Sequence, residues 1–116
     1  MAELKVSVVI TTLNEEKHIG NLIENLLAIP EIEIIVSDGG STDRTPEICR
    51  SYPVKFILGE AGRGKQLNRG AQAGEGDVFF FLHADSAVNG EIFREIRHAV
   101  RKGRGWGCCT MKFDQR

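Results

Sequence analysis

Cysteine is scarce in this chain of 116 residues: only Cys49, Cys108 and Cys109 are present. An odd count with two adjacent members forms neither a disulfide framework nor a zinc-ligand spacing, and buried free thiols are the expected state. An excess of one charge is also missing. The formal net charge is −1, which argues against broad electrostatic attraction to nucleic acid or an anionic membrane, so no nucleic-acid partner is expected. No apolar run approaches the length of a membrane span. The opening MAELKVSVVITTLNEE lacks the apolar core and cleavage site of a signal peptide, and a cytoplasmic location is expected. There is no internal repeat, linker or low-complexity segment. What remains is a chain with the length of one domain, or of a piece of one. An apolar fraction of 41% suffices for a core, and a charged fraction of 27% is ordinary for a soluble surface.

Strand and helix signals alternate. Residues 5–12, KVSVVITT, are β-branched and almost continuously apolar, the pattern of a strand buried on both faces. Ile19, Leu22, Ile23, Leu26 and Leu27 then recur at helical spacing. Asn14 is placed to cap that helix, with Glu15 and Glu16 where the helix dipole favours anions, and Pro30 ends it. A second strand is expected at 32–37, IEIIVS, followed by the turn-forming SDGGSTDRTPE and a short helix through Ile48 and Cys49 that ends before Pro53. A third strand, VKFIL at 54–58, leads into GEAGRGKQLNRGAQAG, a glycine-rich loop that opens a small-residue helix. The fourth strand, DVFFFLH at 77–83, precedes a fourth helix over 90–101, and a last strand fits near 107–113.

This alternation predicts an α/β fold of Rossmann type, a mostly parallel sheet with helices on both faces. Such sheets bind ligands beyond the carboxyl ends of their strands. Just past the expected strand ends stand Leu13-Asn14-Glu15, Asp38-Gly39-Gly40, Gly59 to Lys65, and His83-Ala84-Asp85. Acidic, basic and glycine-rich chemistry is thereby gathered on one rim.

Each segment has a plain reading beside the functional one. GEAGRGKQ reads G-x-x-x-x-G-K, which suits phosphate through exposed N–H groups, a helix N-terminus, Arg63 and Lys65. Gln66, however, stands where a P-loop has Ser or Thr and offers no hydroxyl to Mg²⁺; the plain reading is a turn with solvated cations. Asp38 can accept from a base N–H or ribose hydroxyls, or merely bond its own turn, and Asp43 or Thr45 can cap the second helix. Glu15 is either a ligand contact or an ordinary first-turn acid. His83 and Asp85 lie two apart on an extended segment and share a side. They could hold Mn²⁺ or Mg²⁺ that bridges phosphates, or be a satisfied histidine and a capping aspartate. An apolar run ending in Asp also keeps a P-loop-like NTP-binding domain in view.

Together SVVITTLNEE, VSDGGSTDRTPEI, GRGKQLNRGAQAGEGD and GDVFFFLHADS resemble the family 2 glycosyltransferases of the GT-A fold, in particular a bacterial subgroup of generic family 2 transferases. The likeness covers residues 5–90. It implies a nucleotide-diphosphate-sugar donor, an acceptor hydroxyl of unknown identity, and transfer with inversion assisted by a divalent metal. Carried over, it places Leu13, Glu15 and Asp38 at the nucleoside, with Asp38 reaching the base. Arg63 and Lys65 fall near the base or diphosphate, and Asp85 falls on the metal with His83 beside it. His83 stands where the family's metal motif has its first Asp, which lowers the negative charge there, so that metal affinity is expected to be either weaker or tilted towards Mn²⁺. The family's catalytic base and acceptor surface lie further along the chain, and after the fourth helix only Asp114 is acidic here. Residues 1–116 are therefore expected to be the nucleotide-binding portion of a longer enzyme, with catalytic residues unknown and membrane association of that enzyme left open. Trp106, Cys109, Met111 and Phe113 are expected on an uncovered sheet edge through which the chain self-associates. A non-catalytic nucleotide-sugar binder remains a further alternative.

Overall fold

A computed structural model describes residues 5–84, Glu95 and residues 108–110. The elements run β1 (Val6–Thr12), α1 (Ile19–Leu27), β2 (Ile32–Asp38), α2 (Thr45–Arg50), β3 (Lys55–Leu58), α3 (Arg63–Ala73), β4 (Val78–His83) and β5 (Cys108–Thr110). Among the described residues, five strands form one sheet in the order β3-β2-β1-β4-β5, and every neighbouring pair is parallel. The expected α/β architecture is thus present. The predicted helix over 90–101 lies outside the described residues apart from Glu95, as do Trp106, Met111, Phe113 and Asp114.

Side-chain alternation along each strand gives the sheet two packed faces. Val6, Val8 and Ile10 of β1, Ile34 and Val36 of β2, and Val78, Phe80 and Leu82 of β4 join Ile19, Leu22, Ile23 and Leu26 of α1 and Cys49 of α2 in one core. The apolar stripe read from the sequence is therefore the buried face of α1, and Leu27, at its edge, is exposed. Cys49 is a buried free thiol, as expected; burial and then the negative charge of Asp38 push its pKa up to about 12, which keeps it in the unreactive thiol form. The opposite face is covered by α3. That helix sits very close to β1: a Cβ added at Gly70 would come within 2.4 Å of Val9 Cγ1. The glycine is there for close approach, and through it the loop that opens α3 reaches the strand tips.

The start of α1 differs from expectation. Asn14 does not cap the helix; it lies in the left-handed region at φ 57°, and α1 begins only at Ile19, with no acid in its first turn. Tertiary hydrogen bonds explain the difference. Asn14 Oδ1 accepts from the N–H groups of Thr42 and Asp43, Glu15 N–H donates to Thr45 Oγ1, and a Glu16 carboxylate oxygen accepts from Arg44 N–H. These bonds tie the loop after β1 to the loop after β2 and outweigh the local preference for a longer helix. Asp43 does serve the start of α2, accepting from both the N–H and the hydroxyl of Thr45.

At the edge where strands begin, Glu33 organises a polar cluster. Its Oε1 accepts from Ser7 Oγ at 2.7 Å and from Glu75 N–H at 2.8 Å, while Oε2 meets Lys55 Nζ at 2.7 Å. Burial alone would raise the Glu33 pKa, but the bonds from Glu75, Lys55 and Ser7 outweigh it and lower it from 4.5 to about 2. The sign follows from linkage. A depressed folded pKa gives stability that is complete above pH 4.5 and is lost as pH falls towards about 2. Thermal unfolding across that window should show a falling midpoint that Glu33→Gln flattens. An acid limb equally steep in the variant would exclude Glu33 as its source.

Candidate functional site

The strand register brings the expected segments together. Thr12 pairs with Asp38 and Asp38 with Leu58, while Thr11 pairs with His83 on the other side of β1. β1 is central, and the chain crosses to opposite sides of it before and after α3. Its tip is therefore the point at which a parallel sheet opens a crevice. Around it lie Leu13, Glu15, Asp38, the loop 59–62 with Arg63 and Lys65, and His83. Asp85 lies outside the described residues.

Asp38 is the most constrained of these residues. It is 0% exposed. Its Oδ1 accepts from Thr12 Oγ1 and Ser41 Oγ, each at 2.6 Å, and its Oδ2 accepts from Gly40 N–H at 2.9 Å and Ser41 N–H at 2.7 Å. A carboxylate has about four lone-pair sites, and here the protein fills them. Burial pushes its pKa up, but the hydroxyl and N–H of Ser41, then Thr12 and Gly40, more than offset that and hold it below the ordinary carboxylate value. The structure thus gives Asp38 the role of shaping the 39–41 turn, which the plain reading of the sequence had offered beside ligand binding. Leu13, one step beyond β1, is 47% exposed and presents an apolar surface on the rim.

The loop before α3 is pinned from several directions. Gly59 N–H donates to Asp38 O, Arg69 Nη2 donates to Glu60 O at 2.6 Å, and Lys65 Nζ meets Glu60 Oε1 at 2.8 Å. Arg63 reaches across to β4, its Nη2 lying 3.2 Å from His83 Nε2. A guanidinium can only donate, so in this contact Nε2 accepts. Two residues twenty apart in sequence are thus joined at the mouth of the crevice.

Gln66 is the residue whose role the sequence did not reveal. Read as a departure from a phosphate-loop Ser or Thr, it is 5% exposed. Its Nε2 donates to Thr12 O and Ser37 O, both at 2.9 Å, and its Oε1 accepts from Gly62 N–H at 3.1 Å. The amide faces the strand ends, and the Gly62 N–H that a phosphate cradle would use turns inward to meet it. Nothing in a single polar letter on a short helix signals such a position. Among the described residues no three His, Cys, Asp or Glu side chains converge as a complete metal site, and no helix is long and apolar enough to cross a membrane.

Comparison with known proteins agrees with this architecture. The family model described as glycosyl transferase family 2 matches residues 7–111. A dolichol-phosphate mannosyltransferase of Pyrococcus furiosus is 36% identical over 109 residues, covering 86% of this chain and 31% of the relative. The poly(ribitol-phosphate) β-N-acetylglucosaminyltransferase TarS of Staphylococcus aureus is 31% identical, covering 79% of this chain and 18% of the relative. The crystal structure of TarS residues 1–349 in complex with UDP superposes with a TM-score of 0.74 at 27% identity, covering 85% of this chain and 32% of that one. Mycobacterium tuberculosis glucosyl-3-phosphoglycerate synthase, crystallised with Mn²⁺, UDP and glucosyl-3-phosphoglycerate, shares the fold with a TM-score of 0.70 at 23% identity over 84% of this chain and 39% of that one. This chain spans about a third or less of the curated relatives above. The match over residues 7–111 shows that the chain belongs to glycosyl transferase family 2.

Proposed function

We propose that residues 1–116 form the donor-binding portion of an inverting, metal-assisted glycosyltransferase. The observation that carries this reading is the meeting of the tips of β1, β2, β3 and β4, where Leu13 and Glu15 follow β1, Asp38 ends β2, and Arg63, which opens α3 after β3, meets His83 at the end of β4. A nucleoside fits against Leu13 and Glu15, above the turn that Asp38 holds; a direct bond from Asp38 to the base requires it to release one of its four internal donors. Arg63 and Lys65 lie where they can meet the diphosphate. Their cationic heads are on the surface and, among the described residues, meet His83 and Glu60, contacts that a phosphate can replace.

The divalent ion fits this chemistry through Asp85 and His83, a carboxylate and an imidazole, a pair that suits Mn²⁺ better than Mg²⁺. When bound, it neutralises charge on the departing nucleoside diphosphate. His83 can take part only once Arg63 leaves Nε2, so the turn of Arg63 towards the diphosphate and the freeing of His83 belong to one rearrangement. In the reaction itself an acceptor hydroxyl attacks the anomeric carbon, the bond from that carbon to the diphosphate oxygen breaks, and the hydroxyl proton passes to a carboxylate base. We place that base and the acceptor surface outside the residues described above.

Calorimetry with UDP, GDP and ATP, each with and without Mn²⁺, tests the reading. The expected result is Mn²⁺-dependent binding of UDP or GDP, and Asp85→Ala should weaken that binding by at least ~10-fold with unfolding unchanged, the loss of one charged ligand. Tight ATP binding with no response to UDP or GDP would instead favour a P-loop-like domain.

A further inference from the structure

Three of the segments assigned to the donor are fastened to a single side chain. Gln66 Nε2 bonds the carbonyl just before Leu13 and the carbonyl just before Asp38, and its Oε1 takes the N–H just before Arg63. We infer that Gln66 is a positioning residue that sets the spacing between the nucleoside-binding and diphosphate-binding halves of the crevice; this rests on the donor-site reading above. It touches no ligand in that reading and acts through its neighbours.

The surroundings are built for this amide. Thr12 O already accepts from Gly39 N–H at 3.0 Å, so Gln66 adds a second donor to a carbonyl in use and bridges it to Ser37 O on the adjacent strand. Gly39 has no side chain where one would collide: an added Cβ would stand 2.7 Å from Gln66 Oε1 and 3.0 Å from Ala61 Cα. The slot therefore admits the amide only because residue 39 is glycine. Of the twenty side chains only Asn and Gln offer two N–H donors and an acceptor without charge, and Asn is one methylene shorter. A carboxylate would set negative charge against two carbonyl oxygens, and a hydrocarbon would leave all three backbone groups without this partner. Misplacement of binding groups by about 1 Å can cost about 100-fold in an enzyme's rate, so a single clamp shared by both halves of a site is a sensitive place to alter it.

The experiment measures how the two halves cooperate. Dissociation constants are determined with Mn²⁺ for UDP or GDP, whichever the wild-type chain binds, and for the matching nucleoside and pyrophosphate separately, in wild type, Gln66→Leu and Glu33→Gln. Glu33 lies at the opposite edge of the sheet and serves as a control that lowers stability alone. Gln66→Leu should weaken the intact nucleotide by at least ~10-fold while changing nucleoside and pyrophosphate by less than about threefold each, because spacing matters only to a ligand that spans both halves. Glu33→Gln should lower the unfolding midpoint and leave all three constants unchanged. Equal weakening of whole and parts, or none, would overturn the role of Gln66 alone. Failure of the wild type to bind either nucleotide would instead overturn the donor-site reading and the inference with it. If Gln66→Leu does not fold, Gly39→Ala, which pushes on the same amide, is measured by the same comparison and with the same two outcomes.

Discussion

Replacing Asp38 with alanine should destabilise the protein by about 3 kcal/mol and abolish measurable nucleotide binding. The estimate follows from what the substitution strands. Thr12 Oγ1 is buried and loses its 2.6 Å acceptor; a buried polar group left unsatisfied costs roughly 1–3 kcal/mol, and bonds to a charged group contribute more than neutral ones. Ser41 and Gly40, nearer the surface, can turn to water, which limits the loss in stability but releases the 39–41 turn. Binding should therefore fall further than stability does, with or without metal, because the turn shapes the nucleoside half of the crevice. Asp38→Asn separates the two effects: it fills the same volume but points an NH₂ group at donors. Its stability should approach that of alanine rather than wild type. Thermal unfolding and calorimetry on both variants check this, and unchanged nucleotide affinity in Asp38→Ala would leave Asp38 no part in the site. The pH dependence carries the same sign as for Glu33. Asp38 is held below its ordinary value, so the stability it gives is complete above the unfolded carboxylate pKa of 3.8 and is lost as pH falls through the folded one.

The second large effect is expected at Phe80. Among the described residues it is the largest fully buried side chain, and it sits in the middle of β4, beside Val8 of β1. Phe80→Ala removes its transfer energy and leaves a cavity, for a cost of about 3–5 kcal/mol. Small domains have a total stability of only about 5–15 kcal/mol, so the variant should show a greatly lowered denaturant midpoint or fail to fold. Phe80→Leu, which refills most of the space, should recover most of that loss. Because β4 carries His83 to the rim, the alanine variant should also loosen the Arg63–His83 contact. A midpoint shift equivalent to less than about 1 kcal/mol would mean that β4 is not packed as described.

The legibility of this fold differs between its parts. The strands β1, β2, β3 and β4 were readable because each is a short β-branched or aromatic run bounded by turn residues, and two-sided burial writes itself as continuous apolarity. The buried stripe of α1 was readable because helical spacing is a local property. The gathering of polar segments on one rim followed from the general behaviour of parallel sheets. The start of α1 was misread because Asn14 and Glu16 satisfy partners in the loop 41–45, nearly thirty residues away, and local capping rules do not include such partners.

Gln66 and the Arg63–His83 contact were illegible for the same physical reason. By itself the amino-acid sequence determined the order and kind of the elements, the family pattern and the set of residues placed at strand ends, since these depend on propensity and periodicity. Only the tertiary structure decided that Asp38 is saturated by its own protein, that Gln66 lies under the rim with its amide on two strands, and that Arg63 faces His83. Those outcomes depend on which backbone groups and side chains the packing of α3 on the sheet brings within hydrogen-bond reach, and no local spacing encodes that.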